Sequence, residues 1–273
     1  VVGIEDPGYP DARNNFLLRS DHVKALPIDA DGLIASRAMS QCSYVFVTPS
    51  HQCPTTVTMP LKRRMEILEL AKKRDLVLLE DDHESELNFS GRPLPALKSL
   101  DNDGRVIYLG SLSKTLVHGL RIGYIVAPAE LIRELRALRR LIMRHEATNN
   151  SHTASLFIAQ GHHDAFIRKL NVTYRERREI LTNAFSKYLP QFEIAPSLGG
   201  SGAWIKGPDG FNAQSLANNC ATRGVLIEPG DIFFNKSSTK SHSHFRLGYS
   251  AIQGSLIDAG VQELSGAYKD IRS

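Results

Sequence analysis

The first half of the chain alternates between two hydrophobic patterns. "VVGIED" (1–6), "VKALPI" (23–28), "YVFVTP" (44–49), "LVLLED" (76–81) and "VIYLGS" (106–111) are short, apolar and β-branched. Such runs predict strands buried on both faces. "IGYIV" (122–126) has the same texture and predicts another buried strand. Between them the period lengthens. Residues 60–74 open on Pro60 and place Met65, Leu68, Leu70 and Ala71 at helical spacing, which predicts an amphipathic helix. Residues 128–144, opened by Pro128, and 163–188 predict two further helices. Strands alternating with helices imply an α/β fold whose mostly parallel sheet is flanked by helices. Beyond about residue 190 the pattern becomes "FEIAP", "GAWIKG", "VLIEPG" and "HFRLGYS", with helical stretches at 211–223 and 254–270. This predicts a smaller C-terminal α+β unit. The expected division is a large domain over 1–160, incomplete at its N-terminus, and a small domain over 161–273 that includes the long connecting helix. The polar stretch 233–244 is expected to be the most mobile loop.

Composition narrows the class without naming it. At 273 residues and 42% hydrophobic, the chain can bury a substantial core. The formal charge of +4 admits an anionic ligand but does not demand nucleic acid. Three cysteines, Cys42, Cys53 and Cys220, form no disulfide framework and suggest reduced thiols in the cytoplasm. No run is long and apolar enough to span a membrane. "VVGIEDPGYP" has neither the basic head nor the apolar stretch of a signal peptide and reads like the middle of a domain, so the N-terminal part is expected to be missing. The spacing of Cys42, His51 and Cys53 matches no common metal site. Arginine and glutamate are mixed along "RELRALRRLIMRH" and "YRERRE", which points to solvated faces and a homodimer interface rather than a nucleic-acid surface.

Three polar clusters fall where predicted strands end: "TPSHQCPT" (48–55), "EDDHESE" (80–86) and "GSLSK" (110–114). In open α/β sheets ligands collect at the carboxyl ends of the strands. A lysine in a dry crevice is a usable amine nucleophile. Ser111, Ser113 and Arg121 around Lys114 suit a dianionic phosphate. An acid at the neighbouring strand end suits a protonated pyridine nitrogen. Together these describe a pyridoxal 5'-phosphate site. On residue types alone, solvated loop charges and a strand-end cap account for the same groups.

The segment "YLGSLSKTLVHGLRIGY", with its S-x-S-K-x6-R pattern, resembles the lysine motif of fold-type I pyridoxal-phosphate enzymes, the aspartate aminotransferase superfamily. "EDPGYPDAR", "TPSHQCPT", "LLEDDHESEL" and "VLIEPGDIFF…FRLGYS" resemble the aminotransferase-like domain of the MocR/GabR regulators of the GntR family. The resemblance implies the following roles. Lys114 is the Schiff-base lysine. Arg121 and Ser111, with Ser113, hold the phosphate, and Asp81 pairs with the pyridine nitrogen. Tyr9 stacks on the cofactor face, and Arg246 clamps the carboxylate of an incoming amino acid. Asp82 reads as a loop cap. His83 stands where many relatives have a tyrosine bonded to the cofactor's phenolic oxygen. Cys53 stands where aminotransferases have the asparagine of an N-P-x-G turn. His51 and Gln52 precede that turn, and His51 is expected to line the substrate pocket.

The implied function is an effector-sensing domain of a dimeric transcription regulator. An amine or amino-acid effector would exchange with Lys114 on the cofactor, and DNA would be bound through a winged-helix domain outside this chain. The rival implication is a working pyridoxal-phosphate-dependent aminotransferase acting on an amino acid.

Overall fold

The computed structural model describes residues 1–89, 91, 93–116, 118–236 and 239–272. The chain opens with β1 (Val2–Asp6), α1 (Pro10–Leu17), β2 (Val23–Asp29), β3 (Gly32–Leu33), β4 (Tyr44–Val47), α2 (Leu61–Arg74) and β5 (Val77–Asp82). It continues through α3 (Leu97–Leu100), β6 (Val106–Ser111), β7 (Gly123–Val126) and α4 (Ala129–Met143). These strands form a seven-stranded sheet in the order β3-β2-β1-β4-β5-β6-β7. The four pairings from β2 to β6 are parallel, and the outermost pairs at both edges are antiparallel. The expected α/β architecture is therefore present.

The order contains a reversal. From β1 the chain steps outward to β2 and β3, then returns to lay β4 on the other side of β1. The loops leaving β1 and β4 consequently diverge, and the crevice between them is where open sheets of this kind bind ligands.

Strand parity decides which side chains enter which layer. On β4, Val45 and Val47 pack into the main core with Leu26, Ile67, Leu78 and Val106, while Phe46 turns to the opposite face beside Ile4. On β5, Leu79 joins the Phe46 side and Leu78 the main core. With a period of two, Asp81 follows Leu79, whereas Glu80 and Asp82 follow Leu78.

α2 sits where its pattern predicts, but rotated. Arg64, Ile67 and Ala71 are its buried positions, and Met65 is 51% exposed. Arg64 is fully buried and donates to the carbonyls of Met59, Pro95 and Pro49 at 3.0, 3.1 and 3.0 Å. The three carbonyls make that interior position polar, so the arginine rather than the methionine occupies it. β7 also differs from expectation: all four of its residues are exposed. It is an edge strand, and α4 buries none of its own residues that would cover either face.

The remainder comprises α5 (Thr148–Ala159), α6 (His162–Tyr188), β8 (Glu193–Ile194), β9 (Gly202–Lys206), α7 (Ala213–Thr222), β10 (Glu228–Pro229), α8 (Thr239–His242), β11 (His244–Gly248) and α9 (Gly254–Asp270). A four-stranded antiparallel sheet, β10-β11-β9-β8, packs with α6, α7 and α9 around Phe185, Phe192, Phe211, Phe245 and Tyr268. α5 escaped the sequence pattern because its apolar residues cluster at its end instead of forming a stripe. The segment 233–244 holds α8 and the start of β11, and its Ser237 and Ser238 lie outside the described residues.

The two sheets are joined by backbone and side-chain bonds. Gly8 N donates to Phe233 O at 2.9 Å, and Arg13 reaches the carbonyls of Ile232 and Phe234, both at 2.8 Å. Phe89 N and Gly200 N exchange with Leu198 O and Leu87 O across a second seam. Gly199 is required there: a Cβ on it would lie 1.9 Å from Leu87 O.

Candidate functional site

The strand ends β1, β4, β5 and β6 all open on one side of the seven-stranded sheet, because those four strands are parallel. Lys114 follows β6 in a turn whose neck is closed by Leu112 N donating to Ile122 O at 3.0 Å. Ser111 pairs with Gly123 as the last pair of the β6–β7 register, and Ser113 and Arg121 lie two residues beyond it on the two arms of the turn. Ser111 Oγ accepts from Ser113 N at 3.2 Å, which tightens the turn. Arg121 adopts φ 51°, a left-handed backbone unusual outside glycine, and its residue is exposed. The Lys114 side chain is 38% exposed, with Nζ 4.0 Å from Glu84 Oε1.

Asp81 lies at the end of β5, opposite Leu109 of β6. Its carboxyl is pushed up by burial, partly offset by His83, whose Nδ1 is 3.7 Å away. Asp82 is not a loop cap. It is the last residue of β5, 6% exposed, and accepts from Tyr108 Oη at 2.9 Å. Alternation along β5 separates these neighbours: Asp81 falls on the Leu79 side of the sheet and Asp82 on the Leu78 side, where it meets Tyr108.

Tyr9 caps α1 and donates to Asp11 at 3.0 Å. Burial and Asp11 raise its hydroxyl to about 12. His51 is 5% exposed, with its Nδ1 lacking a partner among the described residues. Its ring packs under the Gly199–Gly200 turn, at the seam between the sheets. Burial lowers its tendency to protonate, against the pull of Glu84. Cys53 sits at a cis peptide bond to Pro54. Arg246 projects from β11 and pairs with Glu228 at 2.5 Å.

Three acids gained positions that residue patterns did not single out. Glu84 is 6% exposed and accepts the Ser201 amide at 3.0 Å and the Ser201 hydroxyl. Burial works to raise its carboxyl, but His83, Ser201, Lys114 and His51 outweigh it and hold it below the usual range. Glu5 is 4% exposed at the β1–β4 switch point, where Oε2 accepts from Thr48 N, Thr48 Oγ1 and Gln52 Nε2 at 3.3, 2.5 and 3.3 Å. Desolvation lifts it to about 7. Glu228 is the third, already paired to Arg246. "EDDHESE" flagged Glu84 as one of several acids, but only its meeting with Ser201, far away in sequence, distinguishes it.

The Asp81 carboxylate, the Ser111 and Ser113 hydroxyls, the Lys114 amine and Arg121 thus lie at or just beyond the carboxyl ends of two neighbouring parallel strands, β5 and β6. Residues 2–264 match the aminotransferase class I and II family. The chain belongs to that family. Among curated proteins it is 37% identical to the HTH-type transcriptional regulator TauR of Rhodobacter capsulatus, over 98% of this chain and 55% of that protein. It is 29% identical to the probable rhizopine catabolism regulatory protein MocR of Rhizobium meliloti, over all of this chain and 55% of that protein. The resemblance to MocR-type regulators read from the motifs is borne out. The chain spans about half the length of these relatives. Among solved structures, LysN, the α-aminoadipate aminotransferase of Thermus thermophilus complexed with N-(5'-phosphopyridoxyl)-L-leucine, superposes with a TM-score of 0.92. The two are 27% identical over 99% of this chain and 71% of LysN. Kynurenine aminotransferase of Pyrococcus horikoshii, in complex with PMP, gives 0.90 at 27% identity, over all of this chain and 70% of that one.

Proposed function

We propose that this chain is the pyridoxal-phosphate-binding, effector-sensing part of a MocR-type transcription regulator. The residues fit the cofactor. Asp81 is a desolvated carboxylate whose cationic neighbour among the described residues is a histidine at 3.7 Å, and a protonated pyridine nitrogen would supply the missing charge. Lys114 is an amine left partly open at the crevice. Ser111, Ser113 and Arg121 share one turn and supply hydroxyl, amide and guanidinium donors to a phosphate. When bound, pyridoxal phosphate supplies an aldehyde carbon that takes up one primary amine at a time.

The chain's own residues then divide the work. Asp81 would hold the ring nitrogen, and His83, 3.7 Å from it, would offer a donor to the ring's phenolic oxygen. Tyr9 covers one face. Lys114 Nζ would be the chain's own amine at the aldehyde carbon. Arg246 selects and orients the acidic end of an incoming amine, and His51 walls the pocket. Residues 1–160 form the cofactor-binding domain and 161–273 the small domain that closes on the effector, working as a homodimer in the cytoplasm. DNA is bound by a segment outside these residues. A ligand can bias such an assembly only through different affinity for two arrangements of the domains.

The observation that carries the reading is Lys114 and Asp81 at adjacent parallel strand ends, in a chain 37% identical to a regulator across 98% of its length. The test uses the whole protein with pyridoxal phosphate. Borohydride reduction followed by peptide mass mapping is expected to place the cofactor mass on Lys114, and Lys114→Ala is expected to carry none. A cofactor label elsewhere, or equal labelling of Lys114→Ala, refutes the site. Adding amino acids with a keto acid then separates regulator from enzyme. Ligand binding without sustained amino-group transfer is expected, whereas steady transfer would make the chain an aminotransferase, in keeping with its structural neighbours.

A further inference from the structure

The guanidinium of Arg246 already has a carboxylate. Arg246 stands opposite Glu228 in the β10–β11 register, and directly opposed residues of an antiparallel pair project to the same face. Nη1 lies 2.5 Å from Glu228 Oε2. The other side of the guanidinium packs on Gly202 of β9, where a Cβ would come within 3.0 Å of Nη2 and 3.1 Å of Nε. The arginine is therefore held from one side by backbone and from the other by Glu228. Its side chain is 25% exposed and that of Glu228 49%, so the pair opens to solvent on the glutamate side. β10 is only two residues long, and Glu228 is its first. Glu228 is thus the more open member of the pair, and Arg246 the one seated against Gly202.

We propose that Glu228 is a built-in competitor that an effector's acidic group must displace from Arg246. The inference rests on the reading of Arg246 as the effector clamp. An entering carboxylate meets a guanidinium whose charge is neutralised, with a like charge beside it. It gains a charge-assisted pair only by replacing an existing one, so Glu228 lowers affinity for every acidic amine. An amine with no acidic group leaves the pair closed and draws nothing from it. The effector class that follows is an amine carrying a compact anionic group, and Glu228 sets the concentration at which it registers.

The experiment is calorimetric titration of the whole pyridoxal-phosphate-loaded protein with the ω-amino acids from glycine to 5-aminopentanoate, and with propylamine as the acid-free probe. Glu228→Gln keeps size and polarity. It is expected to tighten the best-binding amino acid about three- to tenfold while propylamine changes less than about twofold. Arg246→Ala is expected to abolish the advantage of the amino acid over propylamine. If Arg246→Ala leaves amino-acid binding unchanged, the clamp reading itself fails. If Arg246→Ala weakens binding but Glu228→Gln leaves it unchanged or weaker, the clamp stands and the competitor is refuted. Should no amino acid bind either wild type or Glu228→Gln, the proposed effector class is wrong. Retained propylamine binding shows that each variant is folded.

Discussion

Lys114 Nζ and Glu84 Oε1 lie 4.0 Å apart, and the same carboxylate accepts both the amide and the hydroxyl of Ser201. Glu84 therefore ties the lysine beyond β6 to the turn that enters β9 in the other sheet. Removing it leaves two Ser201 donors without an acceptor in a buried seam. Glu84→Ala is expected to cost about 1–3 kcal/mol in urea unfolding, and Glu84→Gln less, because an amide oxygen still accepts. The carboxyl is held below its unfolded value of 4.5, so its contribution is full above that pH and declines as pH falls through the folded value. Wild type is expected to lose stability on acidification more steeply than Glu84→Gln. Parallel pH profiles for the two would contradict this account.

Glu5 predicts the opposite slope. Burial raises it from 4.5 to about 7, so between those values the folded state holds a proton that the unfolded chain has released. Stability from this group must fall as pH rises across that window, by on the order of 3 kcal/mol in all. Glu5→Gln has no proton to lose. Its stability measured by denaturant titration at pH 5, 6, 7 and 8 is expected to be flatter than that of wild type.

Arg64 is the polar anchor of the main core. It binds three carbonyls and lies 3.9 Å from Glu80, with both side chains fully buried. Arg64→Ala strands those acceptors and leaves the Glu80 carboxylate without its cation. A loss of about 3–5 kcal/mol is expected. Met65→Ala, one residue away and exposed, is expected to change stability by less than about 1 kcal/mol. Equal effects in a paired unfolding series would show that the face of α2 is wrongly assigned.

The three thiols are expected to be inert in the native protein. Burial raises Cys53 to about 12, Cys220 to about 11, and Cys42 above its ordinary value. At pH 8 the thiolate of Cys53 or Cys220 is below about one part in a hundred. A thiol-specific disulfide reagent should therefore react slowly with folded protein and rapidly, at three sites, in denaturant. Rapid native labelling of Cys53 would mean that the cis-proline turn is open to solvent.

Much of this molecule is legible as text. The strands β1, β4, β5 and β6 announce themselves because the interior strands of a parallel sheet are covered and covered strands are apolar runs, whereas β2, with Leu26 its one buried residue, is more open than its pattern predicts. The Lys114 turn stood out as a polar cluster between two apolar runs, and its reading as a lysine site came from the resemblance carried by the S-x-S-K-x6-R pattern. The exposure of β7 was not legible, since an apolar run looks the same whether or not a neighbour covers it. Nor was the rotation of α2, where the inward residue is an arginine whose partners are backbone carbonyls that no residue letter encodes.

From the order of residues alone came the alternation of strand and helix and the polar clusters at the strand ends, while the joint role of Lys114, Asp81 and Arg121 came from the resemblance of their motifs to a family. Periodicity and local spacing are properties of contiguous residues, so the sequence carries them in full. Glu84 with Ser201, Arg246 with Glu228 and Glu5 with Thr48 were decided only by the tertiary structure. Each is a meeting of side chains separated by 117, 18 and 43 positions. What a buried carboxylate does depends on which donors the fold brings within about 3 Å of it, and that is a property of the packed chain.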